Sequence, residues 1–243
     1  MIFLVINLKK IEKRIFLVMN NIIAIEGTDG AGKQTQIDKL FEFFKSKNFD
    51  VQKLSFPNYS SPSSGPVKMY LNGELSSSAS GITAYQASIL YAVDRFCTMK
   101  KYENFIQHGV FLLLDRYAGS NLIHQACKID NENEKENYIK WICELEFEIL
   151  KIPRPNLVVF LDMPPEFSIA LAHNRQNLKC GEKKDIHEFD ENHLKKAYEN
   201  SLSIAKNQNW HIIQCIKNQK IESVEQIHQK IISLLKTLFN NLR

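Results

Sequence analysis

The segment Ile22–Thr35, IIAIEGTDGAGKQT, restricts what this chain can fold into more than any other. A run of strand character, Ile22–Glu26, passes without a break into Gly27-Thr-Asp-Gly-Ala-Gly-Lys-Gln-Thr35, and a helical pattern begins at Lys33. The pattern is G-x-x-x-x-G-K in its required strand–loop–helix setting. Glycines let successive backbone N–H groups point inward, and the positive end of the following helix adds to their field. Such a loop cradles a nucleotide's phosphates, with Lys33 reaching the outer ones. Gly27, Thr28, Asp29, Gly30, Ala31, Gly32, Lys33, Gln34 and Thr35 are therefore candidate phosphate contacts. One position departs from the pattern. Gln34 stands where a Ser or Thr normally holds Mg²⁺, which leaves an amide oxygen or the neighbouring Thr35 for that task.

Downstream, β-rich runs alternate with longer helical patterns. Strands are expected at Val51–Phe56, Val110–Asp115, Leu157–Asp162 and His211–Gln214. Helices are expected at Lys33–Lys47, Thr83–Gln107, Glu134–Leu150, Pro165–Asn174, Glu188–Gln208 and Val224–Leu238. Strands alternating with helices of this length imply βαβ crossovers and an α/β fold whose parallel sheet is covered on both faces. The segment Asn58–Ser80 reads as a long surface connection with one helical turn. The polar stretch Asn177–His187 reads as a second lid-like excursion. Asp130–Glu136, DNENEKE, reads as a solvated turn.

The 243 residues suit one domain able to bury a core without a disulfide or metal staple. Net charge is +4, from 31 basic and 27 acidic residues spread along the chain, so no nucleic-acid-binding surface is expected. Cys97, Cys127, Cys143, Cys180 and Cys215 never form a C-x-x-C pair, which argues against a zinc site or disulfide framework and for a reducing, cytoplasmic setting. The apolar runs before Met19 fall short of the roughly 18 residues that span a bilayer, and they lack a signal peptide's order of charge and cleavage site. No membrane partner is expected. Residues 1–18 are read as an appendage, with Met19 an alternative start and residues 19–243 the domain.

Three further groups carry chemistry. Asp29 sits inside the phosphate loop, where a carboxylate needs a metal, a hydroxyl or a cation to face. Asp115-Arg116-Tyr117 ends a strand, and ligands of open α/β sheets sit outside the carboxyl ends of strands. Arg116 can clamp an acceptor phosphate and neutralise developing charge, while Asp115 can orient a metal-bound water. Tyr91 and Arg95 lie at i and i+4, so a ring and a guanidinium share one helix face and can stack on a base and bond its edge.

Together, IEGTDGAGKQTQ, FPNY (Phe56–Tyr59), YAVDR (Tyr91–Arg95), DRYAGSN (Asp115–Asn121) and PRPNLVVFLDMPPE (Pro153–Glu166) resemble the thymidylate kinase family in order and approximate spacing from Asn20 onward. The resemblance implies a three-layer P-loop NTPase-like fold, with a parallel five-stranded sheet flanked by helices and a lid at about 175–187. It implies transfer of the ATP γ-phosphoryl group to dTMP, giving dTDP and ADP, with Mg²⁺, by a homodimer. Lys33 matches the family's loop lysine and Asp29 the carboxylate that meets the acceptor's 3′-hydroxyl. Arg116 matches the arginine holding the monophosphate, Tyr91 the ring stacked on thymine, and Arg95 the arginine at the base edge. Ser120 and Asn121 match positions lining the base and sugar pocket, and Phe56 and Pro57 the family's Phe-Pro turn, here without the basic residue some members place beside it. Some members also carry an arginine within the loop, where this chain has Gly30. By resemblance, Arg175, Lys183 or Lys184 of the lid then supplies charge to the donor phosphates.

The residues alone stop at phosphoryl transfer to a small phosphorylated acceptor. A kinase for another (deoxy)nucleoside monophosphate, or a nucleotide-binding regulatory protein weakened in transfer by Gln34, stays open on that reading. A GTPase-like switch is disfavoured, because no guanine-reading N-K-x-D is present.

Overall fold

Every residue of β1 (Ile22–Glu26) is buried, as expected of a strand with neighbours on both edges and helices over both faces. It pairs in parallel with β3 (Phe111–Asp115) and with β4 (Leu157–Asp162). Outer strands β2 (Val51–Ser55) and β5 (His211–Gln214) complete a five-stranded parallel sheet of order β2-β3-β1-β4-β5. The computed structural model that defines these elements describes residues 21–76, 81–176 and 191–239. The appendage 1–18, Met19 and most of the lid, including Lys183 and Lys184, lie outside the described residues.

Alternation along β1 divides the core between the two faces of the sheet. Ile23 and Ile25 pack with Ile37, Leu40 and Phe44 of α1 (Lys33–Ser46) and with Ile231 and Leu235 of the last helix. Ile22 and Ala24 face Leu112, Leu114, Tyr117 and Met99, the last on α3 (Ala84–Gln107). Between α1 and α3, a 3₁₀ turn at Pro62–Ser64 leads into α2 (Gly65–Leu71). Beyond β3 come α4 (Gly119–His124), α5 (Glu132–Cys143), α6 (Pro165–Gln176), α7 (Glu191–Asn207) and α8 (Val224–Leu238). Thr83 and Ser223 open α3 and α8 with capping boxes completed by Gln86 and Gln226. Among the described residues no helix is long and apolar enough to cross a membrane.

The structure corrects three local readings. The connection 58–80 holds more than one helical turn, because Val67 and Tyr70 of α2 find buried positions. The acidic stretch 130–136 is not a turn: Asn131 caps Glu134 N, and α5 starts at Glu132 with carboxylates at its positive end. The expected helix Glu134–Leu150 changes register, passing from α5 into a π turn at Glu144–Ile149. A small hairpin, β6 (Ile216–Lys217) and β7 (Lys220–Ile221), turns on Asn218 and Gln219, both at positive φ. Its strands are too short for periodicity to register.

Candidate active site

The loop after β1 closes on its own lysine. Gly32, at φ 87°, turns the chain into α1, and Lys33, only 6% exposed, donates from Nζ to Thr28 O at 2.8 Å. Burial and the nearby Arg116 pull its pKa down to about 8, against the attraction of Asp29, Asp115 and Glu26. Gly30, at φ 79°, lies against α6, where a Cβ would stand 2.3 Å from Ser168 O. No side chain fits there. Gln34 turns along the helix and donates from Nε2 to Asp38 at 3.2 Å.

Because β1 and β3 are neighbours, Asp115 and Arg116 emerge beside this loop. The Arg116 N–H bonds Ile25 O at 3.0 Å, and its backbone is left-handed at φ 65°. Its guanidinium ion-pairs with Asp29 and donates to His124 Nε2 at 3.0 Å and Ser120 Oγ at 3.5 Å. Burial opposes its charge, but Asp29, Asp115 and Glu26 outweigh that and raise its pKa. Glu26, the last residue of β1, accepts from Tyr117 N at 2.8 Å and Ser120 Oγ at 2.7 Å. A Cβ on Gly119 would sit 2.7 Å from Glu26 Oε1 and from the Trp210 ring. Asn200 of α7 donates to Leu122 O and Ile123 O at 2.7 and 2.8 Å, satisfying carbonyls at the end of α4.

Next to the loop lies a cavity of about 210 Å³. Phe56, Pro57, Tyr91, Arg95, Arg116, Ser120 and Asn121, all singled out in the sequence, line it together with Asp29. His124 and Gln125 also line it. His124 lies four residues after Ser120 on α4, a spacing that could have disclosed it. Arg95 is buried and bonded through Nε and Nη2 to Glu146 at 2.6 and 2.5 Å. Its charge, opposed by burial, is upheld by that carboxylate. Asp94 accepts from Asn58 N and Ser63 Oγ, each at 2.7 Å, and so pins the chain that follows Phe56 and Pro57. Tyr91 meets Tyr70 edge-to-face at 6.3 Å. Arg175 belongs to the last turn of α6, but its side chain lies outside the described residues.

The donor set near the loop fits Mg²⁺. Among the described residues Asp115 Oδ1 and Thr28 Oγ1 are buried and find no hydrogen-bond partner. Among the described residues no three His, Cys, Asp or Glu side chains gather as a metal site. A divalent ion here would rest on one carboxylate, waters and substrate phosphates, which is how Mg²⁺ is ordinarily held.

Burial pushes Glu26 up from 4.5 to about 7, against the Ser120, Arg116, Tyr117 and Lys33 contacts. Between those two pH values the folded chain keeps a proton that the unfolded chain releases, so stability falls as pH rises through that window, by on the order of 3 kcal/mol. Glu26→Gln can accept from Tyr117 and donate to Ser120 without ionising. Thermal melts of the ligand-free protein should show the variant and the wild type close together at pH 5, with the variant more stable at pH 8. Parallel pH profiles would show that Glu26 does not titrate in this range.

A phosphate loop between β1 and α1, a buried lysine and an arginine-walled cavity at the ends of β1 and β3 define a P-loop nucleotide-phosphate-binding protein. The chain belongs to the thymidylate kinase family, whose model matches residues 25–231. It is 31% identical to thymidylate kinase of Mycobacterium tuberculosis (strain ATCC 25618 / H37Rv) over 170 residues, covering 70% of this chain and 78% of the relative. Identity to thymidylate kinase of Plasmodium falciparum (isolate 3D7) is 29% over 210 residues, covering 86% and 87%. A solved structure of thymidylate kinase from Candida albicans superposes with a TM-score of 0.68 at 20% identity, covering 92% of this chain and 94% of that one. That likeness concerns the fold, and the P-loop NTPase-like α/β architecture read from the sequence is the one found.

Proposed function

We propose that this chain transfers the γ-phosphoryl group of ATP to dTMP, yielding dTDP and ADP for dTTP synthesis. The observation that carries the reading is one cavity lined by Tyr91, Arg95 and Asn121 together with Arg116 and the phosphate loop's Asp29. Family membership points the same way. In this reading residues 27–35 hold the ATP phosphates, and Lys33 neutralises charge on the transferred group. Arg116 exchanges its Asp29 partner for the acceptor's phosphate, which frees Asp29 to meet the sugar hydroxyl. Tyr91 stacks on the base, and Arg95 and Asn121 bond its edge, with Phe56, Pro57 and Ser120 completing the pocket. Asp115 holds Mg²⁺ through water, and the ion supplies charge neutralisation to the phosphates.

Since Ser168 leaves no room for a side chain at Gly30, further positive charge on the donor comes from Arg175, Lys183 or Lys184 when the lid closes and excludes water. Ile89 and Val93, one turn apart on α3 and 45% and 40% exposed, and Met69 of α2 offer an apolar face for a homodimer. The domain is taken as 19–243, working in the cytoplasm.

ADP release measured over dTMP, dUMP, dCMP, dGMP and CMP tests the function. The highest kcat/KM is expected with dTMP. A preference for another monophosphate would reassign the acceptor, and tight ATP binding without turnover would favour a regulatory role.

A further inference from the structure

Glu146 belongs to none of the motifs and does not line the acceptor cavity, yet it is fully buried and bonded to two residues that do. The π turn Glu144–Ile149 places it there. Leu150 N reaches back to Leu145 O at 2.8 Å, and in this register Glu146 points inward while Ile149 is 64% exposed. Its Oε2 accepts from Arg95 Nε and its Oε1 from Arg95 Nη2. Oε1 also accepts from Asn121 Nδ2 at 3.0 Å, and the same nitrogen lies 3.4 Å from Ser88 O.

Carboxylates and carbonyls only accept, so both contacts require the nitrogen of the Asn121 amide. The amide oxygen is thereby left for a ligand. Arg95, held by Nε and Nη2, likewise keeps Nη1 as a donor. Across the cavity the protein offers one donor and, beside it, one acceptor.

We propose that Glu146 is a positioning residue that fixes this donor–acceptor order and so selects the 2,4-dione edge of thymine or uracil over the amino edge of cytosine. The inference rests on the reading of this cavity as a nucleoside monophosphate site. A dione presents a carbonyl oxygen to Arg95 and a ring N–H to Asn121 Oδ1. Cytosine sets its amine against the guanidinium and its ring nitrogen against the amide oxygen, two like-with-like meetings that leave buried groups unpaired.

Glu146→Gln tests this with almost no change in shape. Gln supplies one acceptor where three donor groups now converge, and its own N–H₂ favours an Asn121 amide turned the other way. Steady-state kinetics on dTMP, dUMP and dCMP, with equilibrium binding of each in the absence of ATP, gives the readout. The ratio of kcat/KM for dTMP over dCMP is expected to fall by about tenfold or more, a size typical of a misdirected buried hydrogen bond. The change should lie in the KM and Kd of dTMP, with dUMP following dTMP and the KM for ATP unchanged. Equal losses on dTMP and dCMP, or a fall in melting temperature with the ratio intact, would overturn the role. Should Glu146→Gln not fold, Glu146→Asp, which keeps the charge but cannot reach both partners, is expected to shift the ratio the same way, and an unchanged ratio there overturns it equally. A wild type that fails to phosphorylate dTMP would instead defeat the functional reading, independently of Glu146.

Discussion

Lys33→Met is expected to remove turnover while leaving the ligand-free fold at least as stable as the wild type. The lysine is buried beside Arg116, and among the described residues its one side-chain hydrogen bond is to the loop's own Thr28 carbonyl. A pKa drawn down to about 8 means that the folded protein resists its charge. The sign follows from proton counts. At pH 7 the charged lysine costs stability, and that cost fades as pH rises from 8 towards 10.5, where the unfolded chain also loses the proton. Met fills similar space without the charge, so its melting temperature at pH 7 should equal or exceed that of the wild type, with the gap narrowing at high pH. Without the lysine, no cationic side chain of residues 27–35 offsets the charge on the transferred phosphoryl, and kcat should fall roughly 10³-fold. Melting curves and ADP release on the same preparation check both halves. A variant that retains activity, or one that loses activity because it unfolds, contradicts the assignment.

Arg116→Ala is expected to lower kcat/KM for the acceptor by roughly 10²- to 10³-fold, as loss of a bidentate phosphate clamp does. The same guanidinium also neutralises Asp29, which stands inside the phosphate loop. Removing it leaves that carboxylate facing the ATP phosphates, so the KM for ATP should rise as well. The double variant Asp29→Asn/Arg116→Ala separates the two effects. It should recover ATP binding and leave the acceptor defect in place, a non-additivity expected of residues in direct contact. Additive effects on the KM for ATP would mean that the ion pair has no part in donor binding.

Much of this arrangement is legible in the sequence because it is carried by local patterns. Glycines at 27, 30 and 32 after an apolar strand mark the phosphate loop, and apolar runs mark the strands to within a residue at each end. Positions at strand ends then fall together by topology. With β3 beside β1, Asp115 lies level with Ile25, and Arg116 reaches the loop. What stays hidden depends on contacts between distant segments. Glu146 sits in a stretch, ELEFEIL, whose α-helical period gives no reason to turn a glutamate inward, and the π register that does so answers to Arg95, fifty-one residues earlier in the chain. Glu26 reads as the end of a strand, and its partners Tyr117 and Ser120 are brought to it only by the pairing of β1 with β3. His124 differs: its spacing from Ser120 was visible, but only the fold turns that face towards Arg116.

The most direct test of the central claim is the fate of the γ-phosphate. With γ-labelled ATP, Mg²⁺ and dTMP, the label should pass to dTDP in step with ADP release, and hydrolysis to inorganic phosphate should stay low without acceptor. Label appearing in inorganic phosphate at the same rate with and without dTMP would contradict the account.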